Sequence, residues 1–254
     1  MVVKLFQLDD DYVDIFLNNG LDSFEAVWAV NAEIVEIPNF CRGGDSNVGL
    51  LRLPVHDGEE QNFYLKRQTN YNYRTLFHPF KGVPLAIREW ENIQKLNDVG
   101  IKTMDVVCVG RIRNGDDRGI LVTRALDNYQ TIEEWLSQSP DEQQRGEAMV
   151  ALGRLVGQMH LAGFRHSCLY PKHVFIDRAD RSNIRLIDLE KAKPIFSKKG
   201  GLRDITKLFK RTSQLTVEDK QQLLAGYVAE SPISSLSPSA QKKVVTQMVA
   251  VEYA

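Results

Sequence analysis

Cysteine is scarce: the 254 residues hold 3, at Cys41, Cys108 and Cys168, far apart and without a CxxC pair. Such spacing supports neither a disulfide framework nor a structural zinc site. An excess of either charge is also missing. Lys+Arg number 32 against Asp+Glu 33, a formal net charge of −1, so no overall basic footprint points to nucleic acid. No run approaches the ~18 consecutive apolar residues of a membrane span. Residues 1–11 gain acid where a secretory leader needs an apolar core, so neither a leader nor a transmembrane segment is expected. Repeats and low-complexity tracts are lacking too. The expected location is therefore a reducing, cytoplasmic one. What is present is an ordinary globular composition, 43% hydrophobic and 26% charged, with length for one large domain or two lobes.

The first thirty residues carry short apolar clusters and predict short helices. Glu33-Ile34-Val35-Glu36-Ile37 then alternates as a half-buried strand does, and Leu50-Leu51-Arg52-Leu53-Pro54-Val55 is a second strand candidate. Between them lies Arg42-Gly43-Gly44-Asp45-Ser46-Asn47-Val48-Gly49, a glycine-rich loop. A turn at Asp57-Gly58 leads to a third strand, Phe63-Tyr64-Leu65-Lys66, completing an antiparallel meander. A helix follows, with Pro84 near its start, Ile87, Trp90, Ile93 and Leu96 along it, and Gly100 ending it. Strands are expected at 104–109 and 119–123, joined by Asn114-Gly115. Beyond Leu126 the pattern turns helical, with Met149, Leu152, Leu155, Val156 and Met159 on one face. Two short strands, 174–176 and 185–187, interrupt it, and helices resume after Asp204. The expected class is α+β, with a β-rich first half and a mostly helical second half.

Four features bear on chemistry. Gly43, Gly44 and Ser46 lie where backbone N–H groups approach a phosphate closely, although a plain hairpin turn has the same composition. Lys66 ends a strand, where a lysine is commonly a solvated charge. Glu89 lies one turn into the next helix, where a carboxylate commonly faces solvent. Taken together, Lys66 and Glu89 are the strand lysine and helix glutamate with which phosphotransferases hold the α/β-phosphates. Finally, His166-Ser167-Cys168-Leu169-Tyr170-Pro171-Lys172-His173 ends a long helix, and a strand pair closes on Ile187-Asp188-Leu189-Glu190. An acid directly after an apolar strand is where a kinase holds Mg²⁺; a strand-end turn is the alternative.

At this point the chain resembles the lipopolysaccharide core Kdo/heptose kinase family, its InaA-type branch, over residues 34–227. The stretches that carry the likeness are Arg74-Thr75-Leu76-Phe77-His78-Pro79-Phe80-Lys81-Gly82-Val83-Pro84 with Arg88-Glu89-Trp90, then Cys168 to Phe175, and Ile187 to Glu190. The resemblance implies a two-lobed, protein-kinase-like fold, with an antiparallel β-sheet N-lobe at 1–125 and a mostly helical C-lobe at 126–254, one kinase-like unit overall. It implies ATP and Mg²⁺ as cofactors. Lys66 becomes the phosphate-clamping lysine and Glu89 its partner, His173 and Asp188 the metal ligands, and residues 121–126, with Leu121 and Thr123, the adenine-receiving hinge. His166 would support the loop from beneath. His78, Tyr71 and Tyr73 either contact substrate or pack their loop.

The chain departs from the family pattern in one place. Active kinases carry an Asp five residues before the metal-binding Asn to orient the acceptor proton. Here that position is Cys168, and residues 163–176 contain no acid. Loss of such a base is worth ~10²–10⁴-fold in rate. The expected function is therefore ATP-dependent phosphoryl transfer to a sugar hydroxyl of lipopolysaccharide core or a related glycan. The alternatives are a catalytically impaired pseudokinase acting as nucleotide-binding scaffold or sensor, and a nucleotidyl transferase. Lys191, Lys193, Lys198, Lys199, Arg203, Lys207, Lys210 and Arg211, with Asp204 the only acid among them, form a cationic segment. It suits an anionic glycan or glycolipid acceptor, or peripheral contact with the inner face of the cytoplasmic membrane, as well as a plain solvated helix face. Nothing there provides base stacking, so nucleic acid is not an expected partner.

Overall fold

Apolar alternation every second residue in the first half, and every third or fourth in the second, makes a sheet-based and a helix-based body. The computed structural model describes residues 3–41, 43–55, 58–74, 80, 82–197 and 200–250. The chain divides into two units, residues 1–93 with 104–125, and residues 94–103 with 126–254.

In the first unit, β1 (Val3–Leu8), α1 (Val13–Asn18) and α2 (Phe24–Ala29) precede a meander of β2 (Glu33–Ile34), β3 (Asn39–Cys41), β4 (Gly44–Pro54) and β5 (Glu60–Thr69). Then come β6 (Asn72–Tyr73), β7 (Val83–Pro84), α3 (Leu85–Asn97), β8 (Val106–Asn114) and β9 (Asp116–Arg124). The main sheet runs β1-β8-β9-β5-β4-β2, with β3 also paired to β4. All these pairings are antiparallel. Because side chains alternate across a strand, Phe63 and Leu65 of β5 enter one face and Lys66 and Gln68 the other. The first face packs Leu51, Leu53, Ile120 and Val122 against Phe16 and Phe24 of α1 and α2. Cys108 lies in this core, where burial pushes its thiol up to about 12, so it stays protonated and inert.

Two expectations are corrected here. The first thirty residues contain a strand, β1, as well as helices; at the sheet edge it is only half buried, which blurs its alternation. The glycine-rich stretch is mostly strand, since β4 begins at Gly44, directly after the turn at Gly43 with its φ of 80°. Gly44 is required where it stands: a Cβ there would fall 2.0 Å from the Thr69 carbonyl oxygen.

The second unit begins with β10 (Tyr129–Thr131), α4 (Ile132–Ser137) and α5 (Glu142–Leu161), followed by β11 (Phe164–Arg165), β12 (Val174–Asp177), β13 (Ile184–Leu186) and β14 (Lys193–Pro194). Helices α6 (Leu202–Arg211), α7 (Val217–Glu230) and α8 (Pro238–Ala250) close it. Capping boxes start α4 at Thr131 and α7 at Thr216, each satisfying two amides that the helix leaves open. Among the described residues no helix is long and apolar enough to cross a membrane.

Helices α5 and α7 touch backbone to backbone at glycines. A Cβ on Gly153 would lie 2.0 Å from the Leu223 carbonyl oxygen, and one on Gly226 would lie 2.2 Å from that of Val150. Asp219 caps α7 and also pairs with the Arg145 guanidinium of α5, whose Nε lies 3.1 Å from Oδ1. Gly153→Ala is therefore expected to force the helices apart and cost about 1–3 kcal/mol, read as a lowered urea midpoint. An unchanged midpoint would contradict the close approach.

Candidate functional site

Strand β5 is central, flanked by β4 and β9, so Lys66 is not the solvated edge charge that a strand lysine commonly is. Its amine donates to Glu89 Oε2 at 2.5 Å. Glu89 is 2% exposed. It does not face solvent as a helix carboxylate commonly does, because α3 buries Ala86, Glu89, Asn92, Ile93 and Leu96, a stripe with helical spacing. Trp90, expected on the apolar face, is only half buried.

The other nucleotide candidates share the sheet face of Lys66. Lys66 lies opposite Val48 of β4 and Leu121 of β9, while Ser46 lies opposite Gln68. Leu121 and Thr123 are both buried, two residues apart on one strand and so on one face. Tyr71 is buried and bonded to β3, its hydroxyl 3.1 Å from Asn39 Nδ2 and 3.0 Å from Cys41 Sγ. That is a packing role. Tyr73 carries the Arg88 guanidinium 3.9 Å over its ring. His78 lies outside the described residues, as do Arg42, residues 75–77, Pro79 and Lys81, and Lys198 and Lys199.

In the second unit, the loop from His166 to His173 is held through its backbone. The Cys168 N–H donates to His166 Nδ1 at 3.4 Å, and His166 Nε2 lies 2.9 Å from the Ile187 carbonyl. A carbonyl only accepts, so Nε2 carries the proton and the ring is neutral. The Cys168 carbonyl in turn accepts from His173 Nδ1 at 2.8 Å. Two histidines, stacked at 5.9 Å between ring centroids, thus grip the two ends of one residue. Cys168 is 8% exposed.

Asp204 of α6 anchors the same loop, accepting from the amides of His166 at 2.7 Å and Ser167 at 2.9 Å. His160 Nε2 stands 3.3 Å from its Oδ2. Burial alone would raise this carboxyl; the hydrogen bonds from His160 and from the His166 amide bring it below the ordinary range. In the sequence Asp204 stands out only as the acid in a cationic run. Its place on the apolar stripe of α6, with Ile205, Leu208 and Phe209, was the available signal. The Lys207 amine donates to the Ser167 carbonyl.

Asp188, directly after β13 and Ile187, has φ 58°, a left-handed conformation unfavourable for most side chains and more tolerable for Asp. It sets the carboxylate Oδ2 3.3 Å from His173 Nε2. Nδ1 of that ring carries a proton; with Nε2 protonated as well the ring donates to Asp188, and with Nε2 bare it presents a lone pair there. A neutral ring there sets one nitrogen beside one carboxylate, a pair that suits a divalent ion. Among the described residues no three metal-binding side chains gather. The remaining ligands of such an ion would have to be water and phosphate oxygens, as is usual for Mg²⁺.

The cationic face of α6 carries Arg203, Lys210 and Arg211 exposed and Lys207 half buried, while Asp204 is buried. Phe196, in the segment before it, is 96% exposed.

The model of the lipopolysaccharide kinase (Kdo/WaaP) family matches residues 25–227. The chain belongs to this family. Protein InaA of Escherichia coli strain K12 is 27% identical over 214 residues, 82% of this chain and 96% of InaA. The lipopolysaccharide core heptose(I) kinase WaaP of Pseudomonas aeruginosa is 28% identical over 191 residues, 68% of this chain and 67% of that kinase. The solved structure of WaaP in complex with acyl carrier protein matches with a TM-score of 0.67 at 24% identity, covering 98% of each chain. The fold of this family member is thus α+β and protein-kinase-like, as expected.

Burial holds His166 below its ordinary 6.5, with Asp204, Asp188 and the Ile187 carbonyl opposing it. The unfolded chain therefore binds the proton more readily, so this stabilisation is complete above pH 6.5 and is lost as pH falls below it. Chemical denaturation at pH 7.5 and 5.5 should give a lower midpoint at 5.5. His166→Asn should flatten that difference; an equally steep slope in the variant would refute the assignment.

Proposed function

We propose that this chain transfers the γ-phosphoryl group of ATP to a sugar hydroxyl of lipopolysaccharide core or a closely related glycan. The observation that carries the reading is the buried Lys66–Glu89 ion pair at 2.5 Å in a member of a lipopolysaccharide kinase family. In this reading Lys66, steadied by Glu89, holds the α/β-phosphates. Backbone amides of Gly43 and Gly44 and the Ser46 segment line the phosphates, and Leu121 and Thr123 receive adenine. His173 and Asp188 hold Mg²⁺, which when bound neutralises charge on the phosphates. The segment 191–211 meets the anionic acceptor, and it would do so at the inner face of the cytoplasmic membrane.

The chemistry left to the chain is positioning and charge neutralisation, which dominate phosphoryl transfer. Cys168 stands where the acceptor-orienting carboxylate belongs, and a neutral thiol accepts a proton poorly. A second reading, an impaired kinase that binds nucleotide as a scaffold or sensor, draws on this one residue.

Three measurements separate the readings. Mg-ATP at 100 times its Kd should stabilise the fold by about 2.7 kcal/mol, seen as a raised Tm, and Lys66→Ala should abolish the rise. No rise in the wild type would count against nucleotide binding altogether. Asp188→Ala should keep a weaker nucleotide-induced rise that no longer depends on Mg²⁺. Cys168→Asp should raise ATP turnover by up to ~10²–10⁴-fold if the base is what this chain lacks; a fall in turnover would mean that the thiol is adapted to the reaction.

A further inference from the structure

The start of α3 has no cap of its own. The preceding residue is Pro84, which has no side-chain oxygen, and the first amides of a helix need acceptors from elsewhere. The Leu85 amide finds the Tyr71 carbonyl at 3.2 Å. The Ala86 amide finds the side chain of Gln68, whose Oε1 accepts at 2.7 Å. Gln68 is 0% exposed, and its other end is also engaged: Nε2 donates to Ser46 Oγ at 3.2 Å. One fully buried carboxamide thus spans from the glycine-rich hairpin to the first turn of α3.

The position of this bridge gives it meaning. Gln68 is two residues from Lys66 on β5 and so on the same face. Ala86 is three residues from Glu89 on α3, one turn away. The bridge therefore ties together the two elements whose separation sets the Lys66–Glu89 distance. Gly119, opposite Gln68 on β9, completes the device. A Cβ there would fall 2.8 Å from Pro84 Cβ, so only glycine lets the start of α3 sit down on the sheet within reach of the carboxamide.

We infer that Gln68 is a positioning residue that holds α3, and with it Glu89, against Lys66, and that it couples this placement to Ser46 of the glycine-rich hairpin. The inference rests on the phosphate-clamping role of Lys66 for its effect on nucleotide, while its geometric content stands without that role. A buried glutamine with both ends bonded is costly to cut at one end, because the orphaned amide keeps its desolvation penalty. The helix then shifts or frays at its first turn, and Glu89 moves with it.

The test compares wild type, Gln68→Met, Glu89→Ala and the double variant. Methionine preserves length and removes both hydrogen bonds. Lys66 is first read without nucleotide, by competitive acetylation with acetic anhydride and peptide mass spectrometry. Gln68→Met should raise its labelling rate to that of Glu89→Ala; a rate unchanged from wild type overturns the inference. The Kd for Mg-ATP is then measured by calorimetry. Gln68→Met should weaken it ~10-fold, and the double variant should be no weaker than Glu89→Ala alone, because both changes break the same pair. Independent, additive losses would make Gln68 a structural residue only and overturn the inference. If wild type binds no nucleotide, the functional half falls together with the proposed function, and the labelling rates alone decide the placement of Glu89. Should Gln68→Met fail to fold, Gly119→Ala lifts the start of α3 by steric contact and should raise Lys66 labelling in the same way; unchanged labelling there also overturns the inference.

Discussion

A carboxylate buried to 2% exposure cannot stand without a cation, and the first unit is arranged around meeting that demand for Glu89. Desolvating a carboxylate and an ammonium costs several kcal/mol each, and removing one partner of such a pair costs about 3–5 kcal/mol. The pair therefore fixes a geometry more than it adds stability. Central placement of β5 puts Lys66 beneath neighbouring strands, helical spacing puts Glu89 on the buried stripe of α3, and Gln68 with Gly119 sets how closely the two elements approach.

The second unit solves a related problem with hydrogen bonds. Its loop holds Ser167 in the left-handed region at φ 70°, and Asp188 beyond β13 is there too at φ 58°, at a cost of the order of 1–3 kcal/mol each. Such strain persists only where surroundings over-determine it. Asp204 takes the amides of His166 and Ser167, the two histidines take both ends of Cys168, and Lys207 takes the Ser167 carbonyl. The loop is thus clamped by backbone contacts, so side chains at 168, 170 and 172 are presented without having to hold the loop themselves. A change of side chain at Cys168 can leave the scaffold intact for the same reason, since His166 and His173 bind its main chain.

The family assignment and the protein-kinase-like fold agree with a chemistry that asks mainly for fixed charges around a polyphosphate. Within each unit the charged side chains named above are held by packing and hydrogen bonds, and such preorganisation lowers the ordering cost of any binding.

Much of this was written locally. Alternation in Phe63-Tyr64-Leu65-Lys66, the Asn114-Gly115 turn, and the spacing from Pro84 to Gly100 located β5, the β8–β9 corner and α3, because those signals depend on neighbours a few residues away. The motifs at Lys66, Glu89, His173 and Asp188 were legible for the same reason. Strand β1 was not, since an edge strand half exposed to solvent leaves a faint pattern. The burial of Glu89, the role of Asp204 within a cationic segment, the left-handed turn that brings Asp188 to His173, and the bridge made by Gln68 were not legible either. Each depends on a partner between 18 and 38 positions away in the chain, or on a backbone angle that only the packed surroundings enforce. Periodicity and residue type decided which elements form; hydrogen-bond satisfaction and desolvation inside the folded units decided what those elements hold in place.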